Sequence, residues 1–120
     1  MVTVTVAEGM LRVRLDGWAA LLALRRAIDV PVARIADASI DLSPGRPRGV
    51  RMPGTFLPGI ITAGSYWRPG FRSFWYVTHR RPAAVIDLAQ GGPYDRLVIA
   101  TANPAATVAE IRTALRNQAG

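Results

Sequence analysis

The sequence predicts a single mainly β, α+β domain: a curved antiparallel sheet or partly open barrel capped by one C-terminal helix. Three observations predict it. Short segments alternate apolar and polar side chains, the period of strands with one wet face. Proline and glycine cluster between those segments. The final stretch alone carries a capped apolar stripe of more than two turns. At 120 residues, half of them hydrophobic, the chain is the size of one ordinary domain, 1–120, with a real core.

The first fifteen residues read as a β-hairpin. Val2, Val4 and Val6 alternate with threonines, Glu8-Gly9 turns, and Leu11, Val13 and Leu15 alternate with Arg12 and Arg14. A short helix follows, capped by Asp16, with Trp18, Leu21, Leu22 and Arg25 on one face. Ile28–Val32 is a short strand stopped by Pro31, and from Ala36 to Leu42 the pattern places Ala36, Ala38, Ile40 and Leu42 inside and Asp37, Ser39 and Asp41 outside. Residues 43–59 are rich in proline and glycine, so regular structure there is expected to be at most one short strand around Val50-Arg51-Met52. A four-strand meander is expected next, at Ile60–Tyr66, Phe71–Thr78, Ala83–Leu88 and Tyr94–Ala102. Pro69-Gly70 suits a type II turn, because proline presets φ and glycine accepts positive φ. The chain closes with a helix: Asn103 caps it, Pro104 takes the first position, and Val108, Ile111 and Leu115 form the stripe.

Absence of cysteine rules out disulfides, thiol nucleophiles and cysteine metal sites, and fits a reducing compartment. The N-terminus alternates and lacks a basic n-region, so it does not read as a secretory signal. The apolar run Trp18–Leu24 is too short to span a bilayer. The expected location is the cytoplasm, with peripheral contact at the inner face of the membrane as a second mode.

Charge is segregated. Between Arg46 and Arg81 lie seven arginines (Arg46, Arg48, Arg51, Arg68, Arg72, Arg80, Arg81) and no acid, so this stretch carries the whole formal +7. Phe56, Tyr66, Trp67, Phe71, Phe74, Trp75 and Tyr76 lie there too. Arginine beside exposed aromatic surface binds anions, membranes and protein partners. Along 71–78, Phe71, Ser73, Trp75 and Val77 face one way, and Arg72, Phe74, Tyr76 and Thr78 the other. One face is core. The other needs a cover, which the 44–59 stretch can supply, or a second chain that buries Phe74 and Tyr76.

The element order resembles the pleckstrin-homology-like (PH-like) superfold, in particular small bacterial members. The resemblance rests on Ile28-Asp-Val-Pro-Val-Ala-Arg-Ile35 leading into a strand and on Tyr94-Asp-Arg-Leu-Val-Ile99 leading into the capped helix. It rests also on Gly49-Val-Arg-Met-Pro-Gly-Thr-Phe-Leu-Pro-Gly59, similar to a loop of actinobacterial members of unknown function. The resemblance implies a curved antiparallel sheet closed by the last helix. Phosphoinositide-binding members carry basic residues in the first turn; here Val6–Met10 is acidic, so no inositol-phosphate residue is implied.

Catalytic chemistry is not visible. His79 is the single histidine, it sits between strands beside Arg80 and Arg81, and no orienting partner is near it in sequence. Asp87 and Asp95 lie on strands joined by a tight turn, and pairing with Arg96 accounts for them. The glycines of 45–59 match neither a P-loop nor a dinucleotide fingerprint, and nothing calls for a cofactor or a metal. The functional expectation is a non-enzymatic binding or adaptor module using the 44–81 surface for a protein partner or for self-association. Arg46, Arg48, Arg51, Arg68 and Arg72 are the expected anion contacts, and Trp67, Phe71, Phe74 and Tyr76 the interaction residues. Anionic membrane lipid is the first alternative, through the Trp67–Arg72 hairpin tip. Nucleic acid is the second, disfavoured because both helices are amphipathic rather than basic.

Overall fold

The computed structural model describes residues 2–17, 27–42, 44, 50–57, 61–78, 81–89 and 92–119. Among the described residues, nine strands and one helix order themselves as β1 (Val2–Ala7), β2 (Met10–Leu15), β3 (Ala27–Pro31), β4 (Ile35–Asp41), β5 (Val50–Leu57), β6 (Ile61–Arg68), β7 (Phe71–Thr78), β8 (Ala83–Leu88), β9 (Arg96–Ile99) and α1 (Pro104–Ala119). The expected helix after Asp16 falls at 18–26, outside the described residues.

Two sheets share one core, without closing into a barrel. The smaller has the order β1-β2-β3 and the larger β4-β8-β9-β7-β6-β5. The N-terminal hairpin is as the alternation requires: Val4 pairs Val13, Val6 pairs Leu11, and Leu11, Val13 and Leu15 are buried. Its two-residue turn holds Glu8 and Gly9 at φ 55° and 75°, the left-handed pair of a type I′ turn that matches strand twist. A 3-10 turn at Val32–Arg34 carries the chain from one sheet to the other. It is pinned on both sides, by Val32 N–H to Gly9 O at 2.9 Å and Ala89 N–H to Arg34 O at 2.7 Å.

Helix α1 joins the sheets. Asn103 Oδ1 accepts the Ala106 N–H at 3.1 Å, capping the first turn, and Val108 and Ile111 enter the core between the sheets. Two polar contacts fix its seat on strand edges: Glu110 accepts the Val6 N–H of β1 at 3.1 Å, and Arg112 Nε donates to Ala38 O of β4 at 2.9 Å. Each satisfies a backbone group that an edge strand leaves unpaired.

Three expectations are corrected. The second half is not an antiparallel meander: β9 enters between β7 and β8 and runs parallel to β7. Leu97, Val98 and Ile99 are all buried, the continuous apolar run of a strand covered on both faces. Residues 50–57 form a full strand paired with β6, not a loop across the sheet. The register shift between Arg51 and Gly54 accommodates Pro53, which has no N–H to give a ladder and is tolerated at a bulge on an edge strand. Finally, of the inward set on β4 only Ala38 is buried. Ala36 sits at a register shift, and Ile40 and Leu42 are exposed where the edge strand runs out of the core.

Candidate functional site

Strand β7 decides which side of the large sheet is which. Phe74 is fully buried in the shared core, edge-on to Tyr94 with ring centroids 5.9 Å apart, and Tyr76 packs against the same core. Tyr94 is held in turn by a 2.7 Å hydrogen bond between its hydroxyl and Ser65. Phe74 and Tyr76 therefore face the inner side; full burial of Phe74 corrects the expectation that it meets a second chain, while Tyr76 is half-buried there. Burial pushes the Tyr76 phenol above its ordinary value by desolvating the phenolate.

Ser73, Trp75 and Val77 lie on the outer face. There a second apolar cluster, Val77, Ala83 and Val98 with Trp75 and Val85, is drawn entirely from β7, β8 and β9. Among the described residues nothing from outside the sheet contributes to it. Trp75 lies along its own strand, its indole Nε1 donating to Ser73 Oγ at 3.1 Å.

Charged groups border the cluster. At the β6–β7 end the Arg68 guanidinium stacks over Phe71 at 4.6 Å from the ring centroid, and the Arg96 guanidinium stands 5.5 Å from the same ring. Arg68 is opposite Phe71 because Pro69-Gly70 forms a two-residue turn, with Gly70 at φ 76°. Arg96 Nε also donates to Asp87 Oδ1 at 2.6 Å, a cross-strand pair from β9 to β8. Next to it, Asp37 of β4 stands opposite Asp87 in register and is exposed.

The hairpin tip is thereby split between two sides of the sheet. Arg68 and Phe71 go to the outer face. Trp67 and Arg72, opposite each other in register, go to the other, where Trp67 is 42% exposed. The backbone N–H of Arg72 donates to Asp95 Oδ2 at 2.8 Å, fixing the base of the hairpin to the β8–β9 connection. Arg51 lies in β5, opposite Tyr66 in register. Arg46, Arg48, His79 and Arg80 are outside the described residues. The structure thus unites Arg68 with Phe71, separates them from Trp67 and Arg72, and adds Arg96, Trp75 and Asp87 to the same face. The alternation along 71–77 already put Trp75 beside Phe71. The approach of Arg96 had no local signal, because it depends on β9 lying next to β7.

No helix among the described residues is long and apolar enough to cross a membrane. No family model matches the chain, and neither a curated protein nor a solved structure shows significant similarity to it.

Proposed function

We propose that this domain is a non-enzymatic binding module of PH-like architecture whose basic, aromatic outer sheet face holds a protein partner. The observation that carries the reading is the outer apolar cluster around Trp75, drawn among the described residues from the sheet's own strands and edged by Arg68 and Arg96. An apolar centre with an arginine rim has the composition of protein interfaces, where Trp and Arg supply most of the binding energy. The PH-like part of the reading is supported by two sheets sharing a core with a C-terminal helix laid across their edges. The parallel β7–β9 pair departs from an all-antiparallel version of that plan.

A second reading, peripheral contact with anionic lipid, is favoured by one observation: Trp67 is exposed at a hairpin tip beside Arg68. Replacing Trp67 and Phe71 together by serine tests both. Protein mass is followed by sedimentation and membrane binding by flotation with neutral and with phosphatidylserine vesicles, at low and high salt. Flotation with anionic vesicles only, weakened by salt and abolished in the variant, makes this a membrane module. Absence of flotation leaves the protein–protein reading. If every association persists in the variant, the site assignment is wrong.

A further inference from the structure

A row of side chains crosses the large sheet near the Pro69-Gly70 turn. Pairing register lines up Asp37 of β4, Asp87 of β8 and Arg96 of β9. Arg96 is level with Ser73 of β7, one pleat from Phe71, and Phe71 stands opposite Arg68 of β6. The two guanidiniums flank the Phe71 ring, Arg68 at 4.6 Å and Arg96 at 5.5 Å from its centroid. Unlike Ser73, Val77 and Val98 further along this face, which are buried, both arginines are exposed. The row is unevenly matched in charge. Arg96 donates its Nε–H to Asp87, whereas Arg68 makes no ion pair among the described residues, which include every acid of the chain. Nothing in described β5 stands opposite it either, because pairing with β6 starts at Val50 and Trp67.

The ion pairs elsewhere in the sheets show what an arginine in this setting takes. Arg14 of β2 clasps Asp29 of β3, and Arg96 of β9 binds Asp87 of β8, each an arginine joined to an aspartate of the neighbouring strand. Arg68 has the same setting without the aspartate. Its guanidinium is already held over Phe71, so less ordering remains for a bidentate pair to cost. We infer that Arg68 is the docking point for a carboxylate of an acidic segment on a partner protein, with Phe71 the apolar contact beside it. This rests on the reading of the basic aromatic face as a protein-binding surface. The acids at the far end of the row narrow the choice of partner. Four inter-strand steps of about 4.8 Å put Asp37 roughly 19 Å from Arg68. A phosphate backbone or charged bilayer laid along the row would meet Asp37 and Asp87 and be repelled, whereas a segment with one or two acidic side chains ends at the arginines.

The test is an NMR titration of the whole chain with hexaglutamate peptide, and with hexaglutamine as control, at about 20 mM salt, where charges act over roughly 20 Å. The Nε–H signals of Arg68 and Arg96 are expected to shift with hexaglutamate, with a Kd on the order of 1 mM. The indole N–H of Trp67, on the other side of the hairpin, should move far less. Arg68→Asp should abolish the response, and Arg68→Lys, which keeps the charge without the planar fork, should weaken it about fivefold. Asp87→Asn releases Arg96 from its internal acid and should tighten binding about fivefold, a gain that a merely structural role for Asp87 would not produce. Arg68 is exposed, so unchanged amide spectra confirm that its variants are folded. No shift up to about 10 mM hexaglutamate, equal shifts with hexaglutamine, or an unchanged titration in Arg68→Asp overturns the inference. So do Trp67 and Arg72 signals that move as far as those of Arg68, since they describe an anion wetting the whole tip. Flotation with phosphatidylserine vesicles by protein that ignores the peptide gives the tip to lipid instead. The underlying reading fails separately. If hexaglutamate does not bind but replacing Trp67 and Phe71 still abolishes association, the surface stands and its acidic occupant falls; if neither has any effect, both fall.

Discussion

Phe74 distinguishes a core residue from an interface residue, and the two roles predict different numbers. In the core role its whole ring is enclosed, with no exposed area, and it meets Tyr94 edge-on at 66°. Phe74→Ala removes the ring and leaves a cavity, which costs about 3–5 kcal/mol. Within that figure the aromatic pair accounts for roughly 0.5–1.5 kcal/mol. Unfolding entropy of about 2.1 cal/mol/K per residue over 120 residues amounts to some 0.25 kcal/mol/K, so Tm should fall by roughly 12–20 °C. That is a large share of a typical stability of about 5–15 kcal/mol. Phe74→Leu keeps most of the volume and should cost about 1–1.5 kcal/mol, a fall near 5 °C, which keeps the test open if the alanine variant does not fold. Urea unfolding of wild type and both variants measures the loss at constant m. A Phe74→Ala change below about 0.5 kcal/mol, the range of surface substitutions, refutes the core assignment and returns Phe74 to the interface.

Three smaller predictions follow from the same packing. Asn103→Ala removes the cap on the Ala106 N–H and should cost about 1 kcal/mol in thermal melts, whereas Asn103→Asp should cost little. Tyr76 ionises above an ordinary tyrosine because burial penalises its phenolate. A raised folded pKa gives stability that is present below the unfolded pKa of about 10 and declines as pH rises from there through the folded value; ultraviolet titration at alkaline pH should lose a phenol titrating above the ordinary range on Tyr76→Phe, and the same change should reduce that decline. At Gly92 a Cβ would overlap the Arg34 guanidinium, which donates to Ala89 O at 2.6 Å. Gly92→Ala should therefore cost about 1 kcal/mol in wild type and clearly less in an Arg34→Ala background, a coupling that a double-mutant cycle reads directly.

What could be read from the chain was whatever is local. The Val2–Leu15 hairpin, the Pro69-Gly70 turn and the Asn103 cap each follow from a few neighbouring residues, and each stands where its residues place it. What could not be read depends on which strands are neighbours. The period of β7 separates Phe71 and Trp75 from Phe74 and Tyr76 but does not say which set is inside. The answer comes from Tyr94 and Leu97, brought in by the parallel strand β9. The unbroken apolar run Leu97-Val98-Ile99 was the sequence clue to a central strand, and so short a run does not separate from an ordinary one-sided strand. Proline content similarly hid β5, since Pro53 argues against a strand unless a bulge is foreseen. At the site, the whole basic stretch is legible as charge, yet Arg96 and Asp37 lie outside it and reach the same face only through strand order.

The treatment of the sheet edges bears on how this domain can associate. Two sheets have four edges, at β1, β3, β4 and β5. Helix α1 occupies the edges of β1 and β4 through Glu110 and Arg112. The remaining two carry proline, Pro31 at the end of β3 and Pro53 at the bulge of β5. Proline cannot donate to a further strand, and a bulge twists an edge away from flat pairing. Extension of either sheet by strand addition is therefore opposed at every edge, by a helix or by a proline. The outer face of the large sheet is apolar at its centre, where Val77, Ala83 and Val98 are buried and Trp75 and Val85 half-buried. A chain that blocks strand addition in this way is arranged to associate through side chains and not through strand pairing. It follows that Arg68→Asp, at an exposed side chain held over Phe71, should weaken any complex made through the basic aromatic hairpin, as sedimentation would read, and leave thermal melts unchanged.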